Sequence, residues 1–225
     1  LERENMDGIH VNGFAYDGHI SNLKGATNDD LVALNADEGG FACDNCDMEN
    51  ITIDGIYAGR NGYTAVRLLS RTARLKSIVI RNIFGSYRTN AVSFTHWSNT
   101  HGDYGWFDGV ILDGVCASSS RKSGEAHGGL IWFQPGVHHV GTVMIDNVMR
   151  IDESDAFNTV HTVDVPDDVH IDNLVIGNIR QCVPDKKESV RIGDGATIRK
   201  LDSQQSHAEA TSETAQSAAS EASDA

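Results

Sequence analysis

Ile51-Thr52-Ile53-Asp54-Gly55-Ile56 is the hexad on which the fold turns: two alternating apolar residues, a polar one, a residue that tolerates a left-handed bend, and a closing apolar one. It recurs as Ile78-Val79-Ile80-Arg81-Asn82-Ile83, Val110-Ile111-Leu112-Asp113-Gly114-Val115, Val143-Met144-Ile145-Asp146-Asn147-Val148 and Val169-His170-Ile171-Asp172-Asn173-Leu174. A degraded copy, His19-Ile20-Ser21-Asn22-Leu23, comes first. The Gly/Asn position falls at 22, 55, 82, 114, 147 and 173, a step of 26 to 33 residues, which is the signature of a repeat architecture.

Between the copies runs a second strand with period-2 alternation. Its first column reads Ile9, Val32, Val66, Val92, Leu130, Phe157 and Val190, and two residues later comes Val11, Leu34, Leu68, Phe94, Trp132, Thr159 and Ile192. The column between them, His10, Ala33, Arg67, Ser93, Ile131, Asn158 and Arg191, is mostly polar and is expected to face outward. Apolar spacing of two and an excess of β-branched residues exclude helical repeats, and the step is too short for four-stranded propeller blades. The pattern predicts an all-β chain, a right-handed parallel β-helix of about seven turns over residues 1–202, whose first residues fall inside a repeat as though N-terminal turns were missing. Residues 203–225 are almost entirely Ser, Ala, Glu, Gln, Thr and Asp and read as a disordered tail.

The 225 residues carry 18 Lys+Arg against 32 Asp+Glu, a formal charge of −14 whose field repels phosphate backbones and anionic headgroups. Nucleic acid and membrane are therefore not expected partners, and no apolar run reaches the ~20 residues of a membrane span. Charge is unevenly placed: residues 1–59 hold twelve acids and two bases, whereas 60–88 hold seven bases and no acid. That basic zone fits either an anionic ligand or solvated loop charges. Cys43-Asp44-Asn45-Cys46 lacks a second pair to complete a zinc site, so no metal is assigned, and Cys116 and Cys182 read as small packing residues.

The chemistry-bearing residues lie near the start, in Asn5-Met6-Asp7-Gly8-Ile9-His10 and Asn28-Asp29-Asp30-Leu31-Val32. Counting back two from the first apolar column puts Asp7 and Asp30 at equivalent places on neighbouring strands, ~4.8 Å apart, with Asp29 beside them. Mutual repulsion should raise at least one pKa. A carboxyl pair sharing a proton suits glycoside hydrolysis; clustered oxygens also suit calcium, and an Asn/Asp ladder capping the turns would look the same. His10, His96 and His127 are candidate ligand contacts on the outward face, and Trp97, Tyr104 and Trp106 are aromatic rings able to stack on sugars.

These two stretches resemble the N-T-D-G and D-D signatures of the polygalacturonase-like glycoside hydrolases, family 28, of the pectin-lyase-like β-helix superfamily. The specific likeness covers residues 5–34; beyond it only the periodicity continues. It implies an inverting hydrolase of galacturonan or a related uronic-acid polymer, without an organic cofactor, monomeric, and working outside the cytoplasm in an extracellular or periplasmic space. Asp29 would be the general acid, and Asp7 with Asp30 would activate water. Arg67, in Ala65-Val66-Arg67-Leu68-Leu69, is similar to the arginine of the family's R-I-K motif and would bind a substrate carboxylate. Asn5, beside Asp7, and His10 and His96, by their place on the outward face, are the other expected substrate contacts. The family's G-H-G has no counterpart: Thr64 stands where its histidine would be, and Leu69 replaces the lysine of R-I-K. Two other readings use the same residues. A uronate lyase or epimerase would take Ca²⁺ on Asp30 and use Arg67 as base or helper, and a non-catalytic solenoid would only bind or display glycan.

Overall fold

A computed structural model describes residues 6–38, 46–96, 104–120, 128–152, 161–182 and 188–203. Among them seventeen strands follow in chain order: β1 (Ile9–Asn12), β2 (Ala15–Tyr16), β3 (His19–Lys24), β4 (Asp30–Ala36), β5 (Met48–Gly62), β6 (Thr64–Ser70), β7 (Arg74–Tyr87), β8 (Val92–Thr95), β9 (Gly105–Ser119), β10 (Gly129–Phe133), β11 (His138–Arg150), β12 (His161–Val165), β13 (Val169–Ile176), β14 (Ile179–Gln181), β15 (Val190–Ile192), β16 (Thr197–Ile198) and β17 (Leu201–Ser203). The described chain is all-β, and its strand pairs are parallel. One sheet has the order β1-β4-β6-β8-β10-β12-β15; the other runs β16-β13-β11-β9-β7-β5-β2, with β3 on β5, β14 on β11 and β17 on β13. The chain alternates between the two sheets, so neighbours within a sheet are never consecutive in sequence. No helix among the described residues is long and apolar enough to cross a membrane.

The first four full hexads lie in the long strands of the second sheet, but the fifth is displaced: β13 pairs Val169 with His138 and Leu174 with Val143, five residues from the expected alignment of Val169 with Val143. Ile51, Ile78, Val110 and Val143 share one register and Ile53, Ile80, Leu112 and Ile145 another, each at most 3% exposed. Burying such a side chain stabilises by roughly 1.5–3 kcal/mol, so a one-residue slip of any strand would expose its whole set. The bend residues behave as expected at five of the six positions: Asn22, Gly55, Asn82, Gly114 and Asn147 have φ of 56°, 78°, 57°, 78° and 52°, whereas Asn173 is not left-handed. At these bends the asparagine amide donates to the aspartate of the preceding copy, Asn82 to Asp54 and Asn147 to Asp113, both at 2.8 Å.

In the first sheet the expected columns hold as far as β8 and then slip. Ile9, Val32, Val66 and Val92 are in register, but β10 continues them with Ile131 and β12 with Val163. Trp132 therefore lies in the middle column with Arg67 and Ser93, and Phe133 faces the core, stacked on Phe94 at 4.1 Å. The expected placement of Leu130, Ile131 and Trp132 is corrected by one residue; Phe157, Asn158 and Thr159 lie outside the described residues, and the strand there is β12. The middle column is also less open than expected: Ala33 is fully buried, and Arg67 and Ser93 nearly so.

The basic stretch is answered by acids of adjoining strands. Arg67 meets Asp30, Lys76 meets Glu49 at 2.8 Å, and Arg81 lies in register with Asp54 and Asp113. Cys46 is disulfide-bonded, which removes it from metal ligation; Cys43 lies outside the described residues. Cys116 and Cys182 are not core residues as expected, because β9 turns Val115 and Ala117 inward and Cys116 outward, and Cys182 is exposed. Paired strand runs through Ser203, one residue past the expected boundary, and the tail expected beyond it lies outside the described residues.

Candidate active site

The register Ile9↔Val32 sets β1 against β4 so that Asp7 and Asp30 face each other two residues upstream. The strands approach closely there. Gly8 N donates to Asp30 O at 2.9 Å, and a Cβ on Gly8 would stand 2.6 Å from Leu31 O, so the residue after Asp7 has to be glycine. Asp30 N in turn donates to Asp7 Oδ1 at 2.9 Å and to Asp29 Oδ1 at 3.1 Å. One peptide N–H thus gathers two of the carboxylates, and Asp7, Asp29 and Asp30 each bring an oxygen within 4.8 Å of the others. Thr64, in register with Asp30 on β6, adds its hydroxyl to the Asp30 carboxyl.

Arg67 completes the cluster. It lies two strands from His10 in the middle column, its Nε 2.9 Å from Asp30 Oδ2 and its Nη2 4.0 Å from Asp7 Oδ2. The Nε–H is not aimed along a hydrogen bond, so the contact is an ion pair between two buried groups. Burial drives the Asp30 carboxyl up to about 7; Arg67 pulls it down, Asp29 and Asp7 push it up, and Thr64 lowers it. A raised carboxyl was expected from repulsion between acids. The larger cause is desolvation, because all seven residues of β4 are buried. Three converging carboxylates would also suit a hard cation, but Asp30 Oδ2 already faces Arg67.

These groups sit at one end of a cleft of about 570 Å³ that continues past Asn90 and Ser93 to Trp132 and Gln134. His10 belongs to it, with Nδ1 2.6 Å from Asp7 Oδ2. Several cleft residues were not anticipated, Glu38 and Trp132 among them. Glu38, just past the end of β4, lies 3.2 Å from His10 Nε2, and Trp132 enters through the register shift of β10. No motif marks Glu38; the only available signal for Trp132 was the alternation of β10, which its apolar neighbours obscure.

Other candidates lie elsewhere. His96 is buried, donates from Nδ1 to Ser70 O at 2.9 Å, and packs edge-on against His138, so it is structural rather than a cleft residue. Trp106 belongs to β9 rather than to a loop, and both its faces are covered: Arg74 from β7 stands 5.3 Å over the ring, and His139 from β11 stacks at 4.7 Å. Tyr104 abuts His139 at 4.8 Å. Neither ring is in the cleft. Asn5, Trp97 and His127 lie outside the described residues. No protein-family model, no curated protein and no solved structure matches the chain.

Proposed function

We propose that the path alternating between the two sheets coils as a right-handed parallel β-helix of about seven turns, and that its cleft hydrolyses an acidic, pectin-like polysaccharide. The observation that carries the reading is the convergence of Asp7, Asp29 and Asp30, with one carboxyl held at about 7, in a cleft of about 570 Å³. In this mechanism Asp29 takes the role that the D-D resemblance implies and protonates the glycosidic oxygen. Asp7 and ionised Asp30 take the proton of the attacking water. Arg67 pairs with Asp30, and its guanidinium, which lines the cleft, is of the charge and shape that suit a uronate carboxylate. The substrate is the partner, the protein acts as a monomer with no organic cofactor, and a polymer of this class places it outside the cytoplasm.

Incubation with polygalacturonate or rhamnogalacturonan is expected to release reducing ends with no rise in ultraviolet absorbance. Absorbance rising in step with chain cleavage would instead mean β-elimination, the lyase reading. Proton NMR of the first-formed product is expected to show the inverted anomer. This is a demanding expectation, because the nearest oxygens lie within 4.8 Å, whereas inverting enzymes usually separate their carboxyl groups by roughly 6.5–9.5 Å. A retained anomer would reassign Asp7 or Asp30 as a nucleophile.

A further inference from the structure

Asp7 is held at both oxygens. Oδ1 accepts from Asp30 N at 2.9 Å, and Oδ2 lies 2.6 Å from His10 Nδ1. The other ring nitrogen, Nε2, lies 3.2 Å from Glu38 Oε2, and Asn12 Nδ2 donates to that same Glu38 oxygen at 3.0 Å. His10 thus bridges two carboxylates that come from opposite ends of the β1–β4 pair, and Ala33, its partner in register, is small enough to leave the ring lying between them.

A carboxylate oxygen needs a donor, and each nitrogen of the ring faces one. Asn35 Nδ2 lies 3.1 Å from Nε2, while Asn35 Oδ1 is buried without a hydrogen-bond partner. Turning the amide over, an orientation that only the hydrogen-bond network decides, gives Oδ1 the Nε2–H as its donor beside Glu38. The donor count is then met by a ring protonated at both nitrogens.

We propose that His10 is a positioning residue of this site: a cationic imidazole clamped between Asp7 and Glu38 that fixes Asp7 as the base, with Glu38 as the group that holds the clamp. The proposal rests on the hydrolase reading for its consequence, but not for its geometry. Four acids, Asp7, Asp29, Asp30 and Glu38, are gathered here around Arg67, and a second cation among them offsets their repulsion. A base anchored at both oxygens keeps its remaining lone pairs in fixed directions, and misplacing such a group by about 1 Å lowers turnover by roughly 10²-fold. His10, expected from the sequence to touch substrate, acts here through Asp7.

Two measurements test this. In the first, ¹⁵N NMR of the ring at neutral pH is expected to show both His10 nitrogens protonated in the wild-type protein, and a neutral ring in Glu38→Gln. A neutral ring in the wild type would overturn the clamp, and this readout stands even if no substrate is cleaved, the outcome that defeats the hydrolase reading instead. In the second, His10→Gln and Glu38→Gln are each expected to lower kcat on polygalacturonate by roughly 10- to 10²-fold at unchanged KM. The double variant is expected to be no worse than the more impaired single one, because the two residues act as a unit. Losses that multiply, or a raised KM with kcat intact, would make His10 a substrate contact and overturn the positioning role.

Discussion

Asp29→Asn is expected to abolish turnover of the polymer, with kcat falling by roughly 10²- to 10⁴-fold, the usual contribution of a positioned general acid. The fold should be untouched. Asp29 Oδ1 accepts the Asp30 N–H at 3.1 Å, and an asparagine oxygen in the same place accepts it equally well. What asparagine cannot do is transfer a proton to a departing sugar hydroxyl. The loss should therefore depend on the leaving group. An aryl uronide, whose phenolate departs without help, should recover much of the rate in Asp29→Asn, but not in Asp7→Asn, where activation of water is impaired for every substrate. A folded Asp29→Asn protein that still cleaves the polymer would remove Asp29 from the mechanism and leave Asp30, raised to about 7, as the acid.

The likeness between local pattern and final fold was uneven for physical reasons. The bend column was legible because Gly and Asn are selected there by backbone conformation, and five of its six members are left-handed in the structure. The pairing of β1 with β4 was legible because Ile9-His10-Val11 and Val32-Ala33-Leu34 present a polar or small residue between two apolar ones. Leu130-Ile131-Trp132-Phe133 offers no such contrast. Four apolar residues in a row fit either face, and the choice passed to tertiary packing, where Phe133 stacks on Phe94. The strand β12, His161–Val165, does alternate, with Val163 and Val165 in the core columns and Asp164 in the middle column beside Trp132 and Arg191, but its single pair of valines gives a weaker apolar signal than the residues around Phe157. At the site, adjacency of the three aspartates followed from register alone. The depth of Asp30 did not, because it depends on both faces of β4 being covered, and Glu38 did not, because it lies beyond the strand where periodicity says nothing.

Arg67→Met should be the most destabilising single change in the cleft, and its effect should depend on pH. Arg67 and Asp30 are 9% and 1% exposed, and removing one partner of such a pair leaves the other as an uncompensated buried charge, at about 3–5 kcal/mol. Asp30 can escape that charge by taking a proton. Its folded-state value of about 7 lies above the ordinary aspartate value of 3.8, so the native state binds the proton more tightly than the unfolded state does. Stability contributed through Asp30 is therefore highest in acid, declines as pH rises from about 4 to about 7, and bears the full penalty above that. Arg67 is the chief influence pulling the carboxyl down, so its loss raises the value further and extends the decline to higher pH. Urea unfolding at pH 5 and pH 8.5 should accordingly show a small deficit for Arg67→Met in acid and a large one in alkali. Adding Asp30→Asn to Arg67→Met should flatten the pH dependence and recover most of the alkaline deficit, since no charge is then left to bury. An equal deficit at both pH values would mean that Arg67 stabilises the cleft by packing its aliphatic stem rather than by pairing with Asp30, and the ionised Asp30 that the proposed water activation requires would lose its physical support.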